Sequence, residues 1–177
     1  TDDNATAMIP MGTSFHYYWS DYSSLVIGSN GWLSFNPISN VAHCFPVIPT
    51  AGGAGDNILA PFMSDLIMNA PGSSAQVYYY NDVASQQFIV SYINCPWWSA
   101  TVPGYVGSNT FQVILSNVDS SITFQYQTTD PASFNNTPGC AADLEIGIEN
   151  ITCNIGLELF NDALPASGSA YKFYFPA

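Results

Sequence analysis

The sequence has no arginine and a single lysine, Lys172, and only 8% of its 177 residues are charged. An ordinary soluble domain carries roughly 25%. With 13 acidic residues the formal net charge is −12. Nothing can neutralise phosphates, which excludes nucleic acid as a natural partner and disfavours an anionic membrane surface. No apolar run reaches the roughly 18 residues of a spanning helix, so no membrane insertion is expected. Helical periodicity is missing beyond a turn or so. Only two histidines, His16 and His43, are present and no C-x-x-C pair occurs, which argues against a zinc site. No G-x-S-x-G elbow is found either.

In place of charge the chain has Ser, Thr, Asn, Gln, Gly and Tyr, with 47% hydrophobic and 15% aromatic residues. Residues 1–177 are read as a single domain with a substantial core. The pattern is all-β. Phe15 to Trp19 is aromatic and strand-like. Leu25-Val26-Ile27 and Trp32 to Phe35 flank Asn30-Gly31, a hairpin signal because both residues tolerate positive φ. Asn36 to Asp56 reads as a long surface loop pinned by Cys44. Ile58 to Phe62 contains Pro61 and so reads as a strand at an edge or bulge. Further hairpins join Gln76–Tyr80 to Gln87–Ile93 at Asn81-Asp82, and Thr110–Leu115 to Ser121–Gln127. Leu144–Glu149, Ile155–Phe160 and Tyr171–Phe175 close the domain. Phe111, Val113 and Leu115 alternate with polar residues, as do Ile122, Phe124 and Tyr126. These strands put an amide and hydroxyl row outward. The expected fold is an antiparallel β-sandwich, jelly-roll-like, with long loops.

Cys44, Cys95, Cys140 and Cys153 read as two disulfides, Cys140–Cys153 and Cys44–Cys95 being the favoured one of the three pairings. Disulfides imply an oxidising compartment. The chain opens Thr1-Asp2-Asp3, not with Met and a basic stretch, as expected of a mature chain exported with a cleaved signal. N-x-[ST] sequons make Asn4, Asn135 and Asn150 glycosylation candidates.

Ile9 to Phe15, Tyr22 to Ile27, Ser29 to Phe35, Ile58 to Leu66, Phe111 to Leu115, Ile122 to Tyr126 and Ile146 to Asn150, in that order, resemble a secreted bacterial β-sandwich module related to nidogen-like extracellular domains. The resemblance covers most of the chain. It implies an extracellular or cell-surface, non-catalytic role and supplies no catalytic residues. The sequence departs from the pattern at Ser64, where a second acidic residue is common, at Cys95, where an apolar residue is usual, and at Cys153, where Gly is usual.

The residues themselves assemble no enzyme. His16 reads as structural and His43 lies beside Cys44. Glu145 and Glu149 fall on one face of a strand, and with Glu158 they read as a solvated face or as stabilising a turn. No cofactor is expected, and the metal content is left unknown. Asp2, Asp3, Asp56, Asp65 and Asp82 are the carboxylates that a structural calcium could use, although no contiguous calcium loop is present. Tyr78-Tyr79-Tyr80 and Trp97-Trp98 are candidate exposed aromatics, with Trp97 and Trp98 read as a platform for a sugar ring, as a plug for a partner's pocket, or as part of a loop folded back over the sheet end. Ala5, Ala7, Ile9 and Met11 share one side of a segment without a neighbouring hairpin partner. Residues 1–11 are therefore read either as an exchanged strand adding to a neighbour's sheet or as an ordinary first strand. The leading expectation is a non-enzymatic, self-associating subunit of a pilus-like surface filament, built by strand addition and aromatic packing. The alternative is an adhesion module binding a glycan or matrix protein.

Overall fold

Alternating apolar and polar residues, punctuated by turn residues, fold more than half of the described residues into strands. The computed structural model describes residues 3–38, 47–49, 57–131 and 143–174. Among them run β1 (Ile9–Tyr17), β2 (Ser20–Ile27), β3 (Leu33–Ser34), β4 (Ile58–Ser64), β5 (Gln76–Asp82), β6 (Gln87–Trp98), β7 (Tyr105–Ser116), β8 (Ser121–Thr128), β9 (Leu144–Glu149), β10 (Gly156–Asn161) and β11 (Ala170–Phe173). A six-stranded sheet has the order β1-β2-β3-β4-β9-β10, and a five-stranded sheet the order β11-β8-β7-β6-β5. Every pairing is antiparallel. The protein is a β-sandwich, as the alternation predicts.

The core lies between the sheets. Phe111, Val113 and Leu115 on β7 and Ile122, Phe124 and Tyr126 on β8 are all buried, as their spacing requires. From the other sheet come Met11, Phe15, Leu25, Leu33, Leu59, Phe62, Leu144, Ile146 and Ile148. Phe62 stacks on Phe111 with ring centroids 5.0 Å apart and leans on Trp97 at 5.2 Å. Its full burial contributes about 1.5–3 kcal/mol. Core tyrosines keep their hydroxyls satisfied by reaching backbone carbonyls. Tyr92 donates to Gly28 O at 2.8 Å, and Tyr126 donates to Pro61 O at 2.6 Å.

Pro61 sits at a bulge, where the β4–β9 register shifts between Ala60 and Met63. The strand is not at an edge: β4 lies between β3 and β9. The extra residue resets the phase, so that Leu59 and Phe62, three apart, both face the core. The missing N–H is tolerated because the bulge interrupts the ladder there.

The Asn30-Gly31 hairpin forms, but its tip is buried. Gly28 N donates to Trp32 O, Asn30 Nδ2 to Asp3 Oδ1, and the β4 amides of Phe62 and Ser64 to Gly31 O and Asn30 O. The aromatic run ending at Trp19 is not one strand. The chain reverses at Tyr18-Trp19, with Tyr18 at a φ of 52°. Asn81 and Asp82 are the last paired residues of β5 rather than the turn itself.

The sharpest departure concerns Glu145 and Glu149. Expected on a solvated face, they are 0% and 4% exposed. The outer side of β9 is covered because Ile48, from residues 47–49, lies over it. Ile48 packs into a second apolar cluster with Val26, Trp32, Ile58, Ala60 and Met63. Gly147 and Gly156 make room for it: a Cβ on either would come within 3.2 Å of the Ile48 side chain. Ile48 N donates to Glu145 Oε1 at 3.3 Å, and Glu145 Oε2 is buried without a hydrogen-bond partner. Burial first, and then the nearby Glu158 charge, push the Glu145 carboxyl up to about 9. It is protonated at neutral pH.

Candidate functional site: the bare face of the five-stranded sheet

The strand pairings lay the outward residues of the five-stranded sheet in rows. One row runs Tyr78, Ser91, Gln112, Gln125, Ala170, and the next Tyr80, Ile89, Ile114, Thr123, Lys172. Strands β6, β7 and β8 contain no charged residue at all. The charges on the five strands are Asp82, at the end of β5, and Lys172, on β11. Lys172 is neutralised locally, since its Nζ donates to Asp119 Oδ2 at 2.8 Å and lies 4.8 Å from the centre of the Tyr174 ring. That ammonium, with the Ser121 hydroxyl, holds the Asp119 carboxyl well below the usual carboxylate range.

Within the face Gln112 Nε2 donates to Ser91 Oγ at 2.7 Å. Beside this pair lies a basin of about 320 Å³ whose lining includes Ser91, Ile93, Gln112, Gln125, Gln127 and Ser169. The Ser169 hydroxyl is buried without a hydrogen-bond partner. Chemically the surface offers neutral donors and acceptors with tyrosine rings at one side. Its ionised groups stand at the margins, Lys172 with Asp119 at one edge and Asp82 at the end of the other, and none lies on β6, β7 or β8.

The residues singled out from sequence do not converge on one place. Trp97 is a core side chain whose Nε1 donates to Asp130 O, while Trp98 is exposed. Adjacent strand residues point to opposite sides, so the two indoles form no joint platform. Ala5 makes a bridge to Gly28, and Ile9 pairs with Leu25 of the same chain. Met11 is fully buried in the core, Ile9 is half-buried and Ala7 exposed. Ala5, Ile9 and Pro10 thus pair within their own chain.

Cys95 is a buried free thiol whose Sγ–H donates to Ile93 O at 3.6 Å. Desolvation pushes it up to about 12, which makes it a poor nucleophile. Cys153 is buried as well. Their expected partners, Cys44 and Cys140, fall outside the described residues, as do His43, Asp2, Asp56 and Asn135.

Asn4 is exposed. Asn150 is fully buried, its Nδ2 donating to Thr152 Oγ1 and its Oδ1 accepting from the amides of Asn154 and Ile155. It builds the β9–β10 turn and is not offered to a glycan in the folded chain. His16 Nδ1 lies 2.8 Å from Asp21 Oδ1 across the first hairpin, in solvent. Asp82 Oδ1 caps Ser85 N, and Asp3 accepts from Asn30. Among the described residues no three His, Cys, Asp or Glu gather as a metal site would require.

The sequence made the amide row of β7 and β8 legible. It did not show that β5 would border that row. Edge position follows from strand order, and three consecutive tyrosines were the available signal.

The family model described as NIDO related matches residues 1–173, while no curated protein and no solved structure matches the chain. The match suggests a domain of the extracellular type, and no helix among the described residues is long and apolar enough to cross a membrane. On that match, spanning nearly the whole sandwich, the chain belongs to the nidogen-related family.

Proposed function

We propose that the chain is a non-enzymatic extracellular structural subunit that associates with copies of itself, in the manner of a surface filament. The observation that supports this is the bare face: β6, β7 and β8 carry no charge on a chain of net charge −12. The acidic residues lie elsewhere, so long-range repulsion keeps the protein dispersed while this one surface is free to approach another. Preformed surfaces are the favoured mode of contact. Exchange of residues 1–11 would require Met11 and its neighbours to leave the core they already fill.

Sedimentation velocity across a concentration series tests the reading. Association is expected to strengthen as salt screens the net charge, and Ile114→Glu, at the centre of the face, is expected to weaken it at least tenfold. A wild type that stays monomeric at millimolar concentration and high salt would rule the function out.

A second reading, adhesion through a neutral glycan, is favoured by the basin around Gln112. Titration with neutral oligosaccharides, followed by amide NMR, should then shift Ser91, Gln112 and Gln125, and Gln112→Ala should abolish the shifts. Shifts confined to the Trp98 indole would relocate the site, and no shifts would remove it.

A further inference from the structure

An unpaired edge strand is a template for another chain, and folded proteins ordinarily blunt it with bulges, proline, lysine or shortness. Among the described residues, three of the four sheet edges are blunted. β1 contains Pro10 and Gly12, and its register with β2 shifts between Pro10 and Phe15. β10 shifts between Glu158 and Phe160 and carries a carboxylate in mid-strand. β11 has four residues, and the chain's one lysine is among them.

The fourth edge, β5, has none of these features. Its seven residues, Gln-Val-Tyr-Tyr-Tyr-Asn-Asp, pair with β6 in unbroken register from Gln76↔Ile93 to Asp82↔Gln87. Tyr78, Tyr79 and Tyr80 are 58%, 56% and 63% exposed. The strand contains no proline, glycine or lysine.

We infer that β5 is the seam at which two copies join, pairing antiparallel with its own counterpart about a two-fold axis at Tyr79. This inference rests on the self-association reading and names the surface that begins it.

The sequence of the strand is what selects a second copy as the occupant. In that register Tyr79 meets Tyr79 of the second copy, and Tyr78 meets Tyr80. Val77 meets Asn81, and Gln76 meets Asp82. The one charge in the strand thus faces an amide and never itself, and the aromatic pairs fall directly opposite one another, where cross-strand side chains interact best. A two-fold contact uses the same patch twice and closes on itself. Both sides of an added strand find matching surface. On the outer side the Tyr78 and Tyr80 rows continue the uncharged face. On the inner side Val77 and Tyr79 border a groove of about 300 Å³ that Ile9, Ile27 and Met68 also line. The result is one ten-stranded sheet running through two sandwiches.

The test uses the whole chain. Tyr78→Lys with Tyr80→Lys places four ammonium groups across the seam, and Tyr78→Glu with Tyr80→Glu places four carboxylates there. Both positions are exposed, so neither pair should alter the melting temperature appreciably. Each variant alone is expected to lose dimerisation at least a hundredfold, and an equimolar mixture to recover a heterodimer. In the wild type, hydrogen exchange of residues 76–82 should slow as concentration rises, without a comparable change in β11. Dimers that survive both charge pairs, or β5 amides that exchange at one rate at every concentration, overturn this seam while leaving self-association standing. A wild type that never associates overturns both.

Discussion

Gly31→Ala is expected to destabilise the protein by about 2–5 kcal/mol, the sum of a left-handed backbone penalty and a forced backbone shift. Gly31 has a φ of 72°, and a Cβ there would stand 2.0 Å from the carbonyl oxygen of Phe62. That oxygen belongs to β4, whose amide at Phe62 donates to Gly31 O at 3.2 Å, so neither partner can retreat without breaking the bond between them. Gly104 is the control. Its φ is 96°, yet nothing lies within 4 Å of the position a Cβ would take. Gly104→Ala should therefore cost the conformational penalty alone, about 1–2 kcal/mol. Urea melts of the two variants separate the contributions. Equal losses would mean that the close approach of β4 is unimportant.

Glu145→Gln is expected to stabilise the protein, and by more as pH rises. The Glu145 carboxyl titrates near 9 when folded, against an ordinary 4.5. Below pH 4.5 both states hold the proton and the group is neutral in its effect. Between those values the unfolded chain releases the proton and the folded one keeps it. Stability then falls with rising pH, by at most about 1.4 kcal/mol per unit from this group, until the folded carboxyl itself ionises. The charges bearing on Glu145 are Glu158 and Asp162, both acidic, so neither relieves it. Gln keeps the oxygen that accepts from Ile48 N and removes the titration. Denaturant melts at pH 5 and pH 8.5 should show a wild type that weakens more than the variant over the interval. Parallel behaviour of the two proteins would falsify the assignment.

How much of this was legible depended on range. The β7–β8 hairpin was written in the alternation of Phe111, Val113 and Leu115 against Ile122, Phe124 and Tyr126, because each such residue needs only its own strand to declare its face. Asn30-Gly31 was legible for the same local reason. The burial of Glu145 was not, since a period-two pattern states which residues share a side and not whether a distant segment will cover it. Ile48, roughly a hundred positions away, decides that. Likewise the bulge near Asn94, at a φ of 52°, carries β6 on past Ile93 and delivers Trp97 to the core, and no motif in Cys95-Pro96-Trp97-Trp98 announces it. The bare face was half legible: its polar rows could be read, but the strand that borders them could not.

The glycine shelf beneath Ile48 has a consequence for how such modules could be arrayed. Because Ile48 and its cluster sit on the outer side of one sheet while the other sheet is left bare, the two sides of the sandwich differ as those of a tile do, glazed in front and backed behind. If two tiles join along one rim they present their glazed sides in a common plane, and the pair would offer the outside world a broad, electrically quiet surface of phenols, hydroxyls and amides.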